Sequence, residues 1–426
     1  MPNLLNSKII YLTTSARGGS KLFHSLLENH PDIICFPRTF RMSIFLKSLN
    51  YELDNCELIL EKFTESYPRF FNGKIWSKFN SLDKADELGI NGNESFYIDK
   101  DEFSRNFRAL YNETLKNTKN LFLCLHYSFH KAKGLKISES PFILYHPHDI
   151  QLLEDLDLCI NDFGIENVNV IVTSRHPVDG LNATFKTYLF QNIVSTPSLY
   201  YEEISIFTNK IFQTFPDINL RVVPLEIIKT YRESVMENLC KWLNMSWHNS
   251  LIESTLMGKR WLGNAQENKG DISYKLTWFQ PNGFIEKKDT KIFNTLFPNR
   301  MRIFGNPFPH KSNYRFWLII LILFPMKHET EAFKRSISLF FWIKLLRKVF
   351  KDVNSSKYIY KGKIRGQFDK FGYIYMVLKT GNILRWFLLY FRRIKFTYAL
   401  LKIDFSSEKN QLLFDPINNS TENSSL

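Results

Sequence analysis

Residues 8–30, KIIYLTTSARGGSKLFHSLLENH, decide the fold class of this chain. The β-branched and aromatic run at residues 9–12 predicts a buried strand, and apolar positions at residues 22–27 recur at helical spacing. A polar turn with two adjacent glycines separates them. The free N–H groups of a first helical turn and the helix dipole favour an anion at such a turn. The stretch therefore predicts an α/β fold with a phosphate-binding loop.

The residues of this loop suit a phosphate. Gly18 and Gly19 allow the backbone to approach a ligand closely, and Arg17 and Lys21 supply positive charge. The loop is not a Walker A motif, because Lys21 is followed by leucine and no glycine occupies the required earlier position. The alternative is an ordinary strand-to-helix turn with two solvated cations.

Further strands are predicted from short apolar runs at residues 31–37, 121–125, 142–145, 168–172 and 219–224. Ligands of open α/β sheets bind at the carboxyl ends of strands. His146 and His148 follow the run at 142–145, and His126 and His130 follow the run at 121–125. His146 and His148 are therefore candidate bases; the alternative is that they are surface or capping residues.

A second cationic strand exit is predicted at Arg175, directly after the β-branched run at residues 168–172 and two polar residues. A guanidinium at such an exit can bind a phosphate through its fork of N–H donors. The alternative is a structural arginine that pairs with a nearby carboxylate.

The opening stretch resembles the 5′-phosphosulfate loop of sulfotransferases that use 3′-phosphoadenosine 5′-phosphosulfate (PAPS). The resemblance is carried by Arg17-Gly18-Gly19-Ser20-Lys21-Leu22 and by the later His30-Pro31. Lys21 stands where the family usually has serine or threonine, which keeps positive charge in the loop. The resemblance implies that residues 17–22 bind the nucleotide.

Two later stretches resemble the other signatures of the same family. Arg175, Pro177 and Asp179 match the 3′-phosphate segment, in which Ala183 replaces the usual serine and leaves Asn182 or Thr184 to supply a polar group. Residues 255–264 match the loop that closes over the nucleotide. There Lys259 and Arg260 are expected beside the 3′-phosphate; the alternative is that both are solvated loop charges.

The resemblance implies a three-layer fold with a mostly parallel sheet, of the P-loop-like sulfotransferase type. It also implies transfer of a sulfonate group from PAPS to an acceptor hydroxyl, without a metal. Lys21 would stabilise the leaving phosphate, and His146 or His148 would be the base, with Glu139 behind them. The lysine that family members often carry in an E-K-T-P-like segment is absent from Ser138-Glu139-Ser140-Pro141, which occupies the comparable place.

Charge and composition predict three regions in the chain of 426 residues. Residues 1–305 form the catalytic domain, residues 306–405 a basic, aromatic helical region, and residues 406–426 a disordered tail. Residues 306–404 hold 20 basic and 5 acidic side chains, a net charge of +15, whereas the whole chain carries +14. Basic amphipathic helices with aromatic residues are typical of an anionic membrane surface. The alternative is a helical appendage packed on the catalytic domain.

Other features set the expected location and partners. The five scattered cysteines include no C-x-x-C pair, and no apolar run reaches the roughly 18 residues of a spanning helix. We expect a cytoplasmic protein, peripheral at the membrane, with a saccharide or glycolipid acceptor and no nucleic-acid partner. Alternative functions are a nucleotide-dependent kinase or other phosphate-using transferase, and a non-catalytic membrane- or glycan-binding protein with a degenerate site.

Overall fold

The computed structural model describes residues 7–14, 18–75, 85–136, 138–139, 141–149, 153–176, 179–180, 211 and 214–261, together with Phe316, Ile319, Ile320, Phe391 and Ile394. For residues 148 and 149 it describes the backbone alone. The chain divides into two compact units. The first comprises Met1–Ser174, Ile211–Leu276 and Gln411–Leu426, and the second comprises Arg175–Lys210 and Thr277–Asn410.

Within the described part of the first unit, five parallel strands form one sheet in the order β2-β3-β1-β4-β5. The strands are β1 (Lys8–Thr14), β2 (Ile33–Cys35), β3 (Phe142–Asp149), β4 (Val168–Ser174) and β5 (Asn219–Pro224). Each overlaps one of the predicted apolar runs. A separate hairpin is formed by β6 (Thr255–Leu256) and β7 (Lys259–Arg260).

Helices precede, connect and follow the strands. They are α1 (Ser20–Leu27), α2 (Met42–Ser48), α3 (Cys56–Ser66), α4 (Pro68–Phe71), α5 (Lys100–Tyr111), α6 (Thr118–Ala132), α7 (Leu153–Phe163), α8 (Leu225–Thr230) and α9 (Arg232–Leu243). Two short 3₁₀ segments, Ile165–Asn167 and Asn249–Ile252, lie before β4 and before β6.

One face of the sheet is covered by α1, α8 and α9. Successive side chains of a strand point to opposite faces, so Ile10 and Leu12 of β1 share a face. Both are buried in one apolar cluster with Phe23 and Leu26 of α1 and Leu239 of α9. This cluster is the core on the α1 side.

The opposite face is covered by α6 and α7. Tyr11 and Tyr145, which alternate with the residues of the first core, pack edge to face with their ring centroids 5.6 Å apart. Phe122 of α6 packs against Tyr145 at 5.1 Å and against Phe163 of α7 at 5.7 Å. Helices therefore lie on both faces, and the predicted three-layer α/β fold with a parallel sheet is confirmed.

Helices α2 to α5 build an aromatic core beside β2. Phe63 of α3 is fully buried and contacts the rings of Phe36, Phe40 and Phe103 with centroids 5.4 to 5.8 Å apart. Pairs of this kind contribute roughly 0.5–1.5 kcal/mol beyond their burial. The high phenylalanine content therefore has a packing role in this region.

The predicted strand at residues 121–125 is wrong. These residues lie within α6, whose N-terminus is capped by Asn117: its side chain accepts a hydrogen bond from the Asn120 N–H at 2.8 Å. Ten consecutive residues of α6, from 121 to 130, are buried. Because this part of the helix has no solvent-exposed face, its sequence lacks the alternation of apolar and polar residues that marks a surface helix. Periodicity alone cannot distinguish a short apolar segment of a buried helix from a buried strand.

The predicted C-terminal regions, residues 306–405 and 406–426, lie outside the described residues apart from five helical positions between 316 and 394. The boundary at residue 305 stays a prediction. No helix among the described residues is long and apolar enough to cross a membrane.

Candidate functional site

The carboxyl ends of β1 and β3 lie side by side at one edge of the sheet. Thr14, the last residue of β1, is opposite Asp149 of β3 on one side and Thr173 of β4 on the other. The chain leaves β1 through α1 on one face and leaves β3 through α7 on the other. Parallel sheets bind ligands at such a switch point, outside the carboxyl ends of the strands.

The glycine-rich loop sits at this edge. Gly19 precedes α1 with a left-handed backbone (φ 89°, ψ 18°), and its carbonyl accepts the first helical hydrogen bond from the Phe23 N–H at 3.1 Å. A Cβ on Gly19 would lie 2.5 Å from Cδ1 of Leu225, which follows β5. Both the backbone conformation and the contact with Leu225 therefore require glycine at this position.

The N-terminus of α1 has the groups that an anion needs. The N–H groups of Ser20, Lys21 and Leu22 begin the helix and have no carbonyl four residues earlier within it. Ser20 is 2 % exposed, and Lys21 is half-buried. Leu22 packs against the core on the α1 side, so its contribution to binding is its backbone N–H. Arg17 lies outside the described residues.

His146 and Pro147 form a bulge in β3. Tyr11 is opposite Tyr145, but Thr13 is opposite His148, so β3 holds one more residue than β1 over this interval. Proline has no N–H for the ladder, which suits a bulge in a central strand. The His146 carbonyl instead accepts a hydrogen bond from the Phe40 N–H at 3.2 Å.

The structure buries His146 beneath α1. It is 3 % exposed, and its Nδ1 lies 3.2 Å from Nδ1 of His24, a residue that is itself 4 % exposed. Burial lowers the pKa of His24 to about 4, so this partner is neutral at physiological pH. An N–H on either of these two nitrogens can donate to the other. His146 therefore lies buried against α1, and its assignment as a base stays a prediction.

Position 148 lies two residues nearer the end of β3. Its backbone is opposite Thr13 of β1, and without the bulge residues 146 and 148 would share one face of the sheet. The extra residue in β3 separates the two histidine positions. The assignment of His148 as the base stays a prediction.

Glu139 does not lie at this edge. It is exposed and precedes the first residue of β3, at the amino end of the strand. The eight residues of β3 span about 25 Å at roughly 3.3 Å per residue, and this length separates Glu139 from the glycine-rich loop. The expectation that Glu139 supports the base is therefore corrected.

Two threonines hold the ends of β1 and β4 together. The Thr14 hydroxyl donates to the Thr173 carbonyl, and the Thr173 hydroxyl donates to the Thr13 carbonyl, each at 3.3 Å. All three residues are at most 5 % exposed. These bonds fix the backbone at the carboxyl ends of β1 and β4 relative to each other.

The β6–β7 hairpin is anchored on Glu28, just after α1. The buried Glu28 carboxylate accepts hydrogen bonds from the Thr255 hydroxyl at 2.7 Å and from the Met257 and Gly258 N–H groups at 2.9 Å. Both turn residues have positive φ, 56° and 73°, as the two-residue turn of a hairpin requires. No sequence pattern pointed to Glu28; its only signal was a carboxylate next to an apolar helix.

The hairpin places Lys259 and Arg260 beside residues 89–94. The Lys259 ammonium pairs with the Glu94 carboxylate at 2.6 Å, and the carbonyl of the exposed Arg260 accepts from the Gly89 N–H at 2.9 Å. The hairpin turn contacts the C-terminal end of α1, whereas Gly19 lies at its N-terminal end. The described contacts do not bring these two cations to the glycine-rich loop.

Arg175 belongs to the second unit. It is half-buried, and its charge lowers the pKa of Asp179, which burial raises more strongly. Burial and the charge of Arg175 lower the pKa of His176 to about 4. The role of Arg175 in binding a phosphate stays a prediction. Asn182 and Thr184 lie outside the described residues.

Three solved protein chains resemble this chain in structure. The sulfotransferase domain from the olefin synthase of Synechococcus PCC 7002 matches it with a TM-score of 0.38 and 14 % sequence identity, over 71 % of this chain and 97 % of that chain. No protein-family model matches the chain, and no curated protein matches it in sequence. A likeness this weak does not assign a function.

The described residues contain no group of three or more His, Cys, Asp or Glu side chains arranged to hold a metal ion. The groups that the site does offer are N–H donors, the Lys21 ammonium and the buried Ser20 hydroxyl. These groups suit an anionic ligand such as a phosphate or a sulfate ester.

Proposed function

We propose that this protein is a sulfotransferase that moves a sulfonate group from PAPS to an acceptor hydroxyl. The observation that carries the proposal is the left-handed Gly19 at the N-terminus of α1, next to the carboxyl ends of β1 and β3. The residues of this loop are also those that resemble the 5′-phosphosulfate loop of the family. The acceptor is proposed to be a saccharide or a glycolipid.

The reaction needs little from the protein beyond charge and position. The acceptor oxygen attacks the sulfur, and the bond between sulfur and the bridging oxygen of the 5′-phosphate breaks. Adenosine 3′,5′-bisphosphate leaves with the bonding electron pair, and the hydroxyl proton passes to a base, for which we propose His148. Lys21 and the first N–H groups of α1 stabilise the negative charge that gathers on the leaving phosphate.

Arg175 is proposed to bind the 3′-phosphate, with Asn182 or Thr184 as a further polar contact. The support is the resemblance of residues 175–184 to the 3′-phosphate segment of the family. Lys259 and Arg260 are proposed as further contacts to the same phosphate on the strength of the same resemblance, and in the structure Lys259 pairs with Glu94.

The protein should bind adenosine 3′,5′-bisphosphate more tightly than ATP, without added metal. Isothermal titration calorimetry with each nucleotide, with and without Mg²⁺, measures this preference. Lys21→Ala and Arg175→Ala each remove a charged donor to a phosphate, which costs roughly 1.5–3 kcal/mol, or about 10- to 100-fold in affinity.

Arg105→Ala is the matched control, because Arg105 is an exposed cation of α5 paired with Glu102 at 2.5 Å. Its affinity for adenosine 3′,5′-bisphosphate should equal that of the wild type. Tighter, Mg²⁺-dependent ATP binding would favour a kinase. Nucleotide binding without transfer of sulfonate to any hydroxyl would favour a non-catalytic protein.

We also propose that residues 306–404 bind an anionic membrane surface. The support is their net charge of +15 and the exposure of Phe316, Ile319 and Phe391, which are 57, 51 and 62 % exposed. Phe316 and Ile319 are helical and three residues apart, so they share one helical face. Apolar side chains among cations are typical of interfacial helices.

The wild-type protein should sediment with liposomes that contain anionic lipid. Replacing Arg392, Arg393 and Lys395 by glutamine should weaken the binding at low salt, since each basic residue near such a surface contributes about 1 kcal/mol. The same change at Lys8, Lys131 and Lys241, exposed residues of the first unit, is the charge-matched control. Equal sedimentation of the two variants, or no sedimentation of the wild type at low salt, would contradict the proposal.

A further inference from the structure

Two arginines lie at the carboxyl edge of the sheet, on the side away from Leu225. Arg38 and Arg41 follow β2, which pairs with β3 through Cys35 and Leu144. The Phe40 N–H donates to the His146 carbonyl at 3.2 Å, which fixes residues 36–41 against the end of β3. The order of strands therefore places the end of β3 between the arginine segment and the glycine-rich loop.

The arginine segment is held rigidly where α2 begins. The Met42 N–H donates to the Tyr145 hydroxyl at 2.9 Å, and the Ser43 N–H donates to the Asp155 carboxylate at 2.8 Å. The Tyr145 hydroxyl in turn donates to Asp155 at 2.7 Å. Asp155 is completely buried. A carboxylate is favourable at a helix N-terminus, so this network fixes the backbone next to Arg41.

An aromatic cluster lies beside the arginine segment. Phe36 is buried and stacks on Phe70 at 4.9 Å, and Phe70 stacks on Tyr67 at 4.9 Å. Burial raises the pKa of Tyr67, and a hydrogen bond with the Arg41 backbone lowers it more than the charge of Arg41 does, so the Arg41 backbone lies beside this hydroxyl. Arg38 and Arg41 are both half-buried. Such guanidinium groups, set in a fixed frame, can bind a carboxylate or a phosphate through two N–H donors.

We propose that Arg38 and Arg41 bind an anionic group, a carboxylate or a phosphate, on the acceptor. This inference rests on the proposed function, because it places the acceptor at the end of β3. Strands lie about 4.8 Å apart, and the Phe40 N–H bonds His146 of β3, so this segment and the end of β1 are separated by roughly 10 Å across the sheet. One sugar ring with a charged substituent spans that distance. The acceptor would thus be an acidic or phosphorylated saccharide or lipid headgroup.

The test uses three soluble sugars and saturation-transfer difference NMR on the full-length protein. D-glucuronate carries a carboxylate, D-glucose 6-phosphate carries a phosphate, and D-glucose is neutral. The wild type should bind at least one anionic sugar more tightly than glucose. Arg38→Gln with Arg41→Gln should reduce that affinity about tenfold or more and leave the weak glucose signal unchanged.

Two further variants make the outcome decisive. Arg105→Gln with Lys131→Gln removes the same charge from exposed helical positions and should bind like the wild type. Arg38→Lys with Arg41→Lys keeps the charge but loses the planar fork, and its affinity should fall between those of the wild type and the glutamine variant. Circular dichroism identifies any variant that fails to fold; if the glutamine variant fails, the lysine variant decides the question alone.

The proposal is overturned if the glutamine variant binds the anionic sugars as the charge-matched control does, or if no probe binds the wild type better than glucose. The sugars that bind distinguish a carboxylate from a phosphate. Titration of adenosine 3′,5′-bisphosphate into the same proteins separates this test from that of the proposed function. If the wild type does not bind the nucleotide but still prefers the anionic sugars through Arg38 and Arg41, the proposed sulfotransferase activity is contradicted. The proposed anion site then stands.

Discussion

Glu28→Ala should destabilise the first unit by about 3–5 kcal/mol, because it leaves two backbone N–H donors without an acceptor and leaves the Thr255 hydroxyl only the longer bond to the Ser25 carbonyl, at 3.3 Å. The donors are the Thr255 hydroxyl and the N–H groups of Met257 and Gly258, all within 2.9 Å of the carboxylate. Glu28 is 2 % exposed, so water does not replace it in the folded state. The loss is a large part of the roughly 5–15 kcal/mol that stabilises a typical protein.

Urea unfolding followed by circular dichroism measures this loss as a lower midpoint. Hydrogen exchange of residues 254–261 locates it, because the Met257 and Gly258 amides should lose their protection first. Glu28→Gln keeps one acceptor oxygen and should cost less than alanine. Glu61→Ala, an exposed position in α3, is the control and should change stability by less than about 0.5 kcal/mol. Equal midpoints for the Glu28→Ala and Glu61→Ala variants would show that Glu28 does not anchor the hairpin.

The sequence predicts the strands of this fold well, and it does so for a physical reason. The three central strands, β1, β3 and β4, are short apolar runs that end at polar residues, because central parallel strands are buried on both faces. The same property explains the error at α6, which is also apolar along most of its length. A buried helix and a buried strand differ in their hydrogen-bond partners, which the residue pattern does not contain.

The candidate site was only partly predictable. The glycine-rich loop could be found because positive φ and an anion site each require particular residues, and both requirements coincide at Gly19. The different positions of His146 and residue 148 depend on the register with β1, which is set by contacts far apart in sequence. Pro147 was the available signal, since proline in a central strand indicates a bulge. Arg38 and Arg41 were missed because their importance comes from the order of the strands.

Acidification should unfold the first unit, because it must protonate histidines that the fold buries in their neutral form. Burial lowers the pKa of His126 to about 3 and the pKa values of His24 and His130 to about 4. The unfolded chain has histidine pKa values near 6.5, so below that pH it binds more protons than the folded chain. The free energy of unfolding is therefore unaffected by these histidines above about pH 6.5, and it falls as the pH drops toward 4.

The size of this effect makes it a sharp test. Each such histidine lowers the free energy of unfolding by about 1.4 kcal/mol for every pH unit below 6.5. Three of them therefore lower it by on the order of 6 kcal/mol at pH 5. Circular dichroism across a pH series should show the unfolding midpoint between about pH 4 and 5. Carboxylates that are bonded only in the folded state add to the loss at the lower end of this range.

His126→Phe should shift that midpoint to lower pH. The His126 ring lies among Phe36 and Phe122, with centroids 4.2 Å from each, so a phenylalanine ring fits the surroundings and carries no titratable group. Its Nδ1 bonds the Phe122 carbonyl at 2.8 Å, a group that α6 already satisfies through its backbone. Ile90→Phe, at a position that is 79 % exposed, is the control and should leave the midpoint unchanged. If His126→Phe folds at pH 7 and unfolds in acid at the wild-type midpoint, protonation of this buried histidine does not drive the transition.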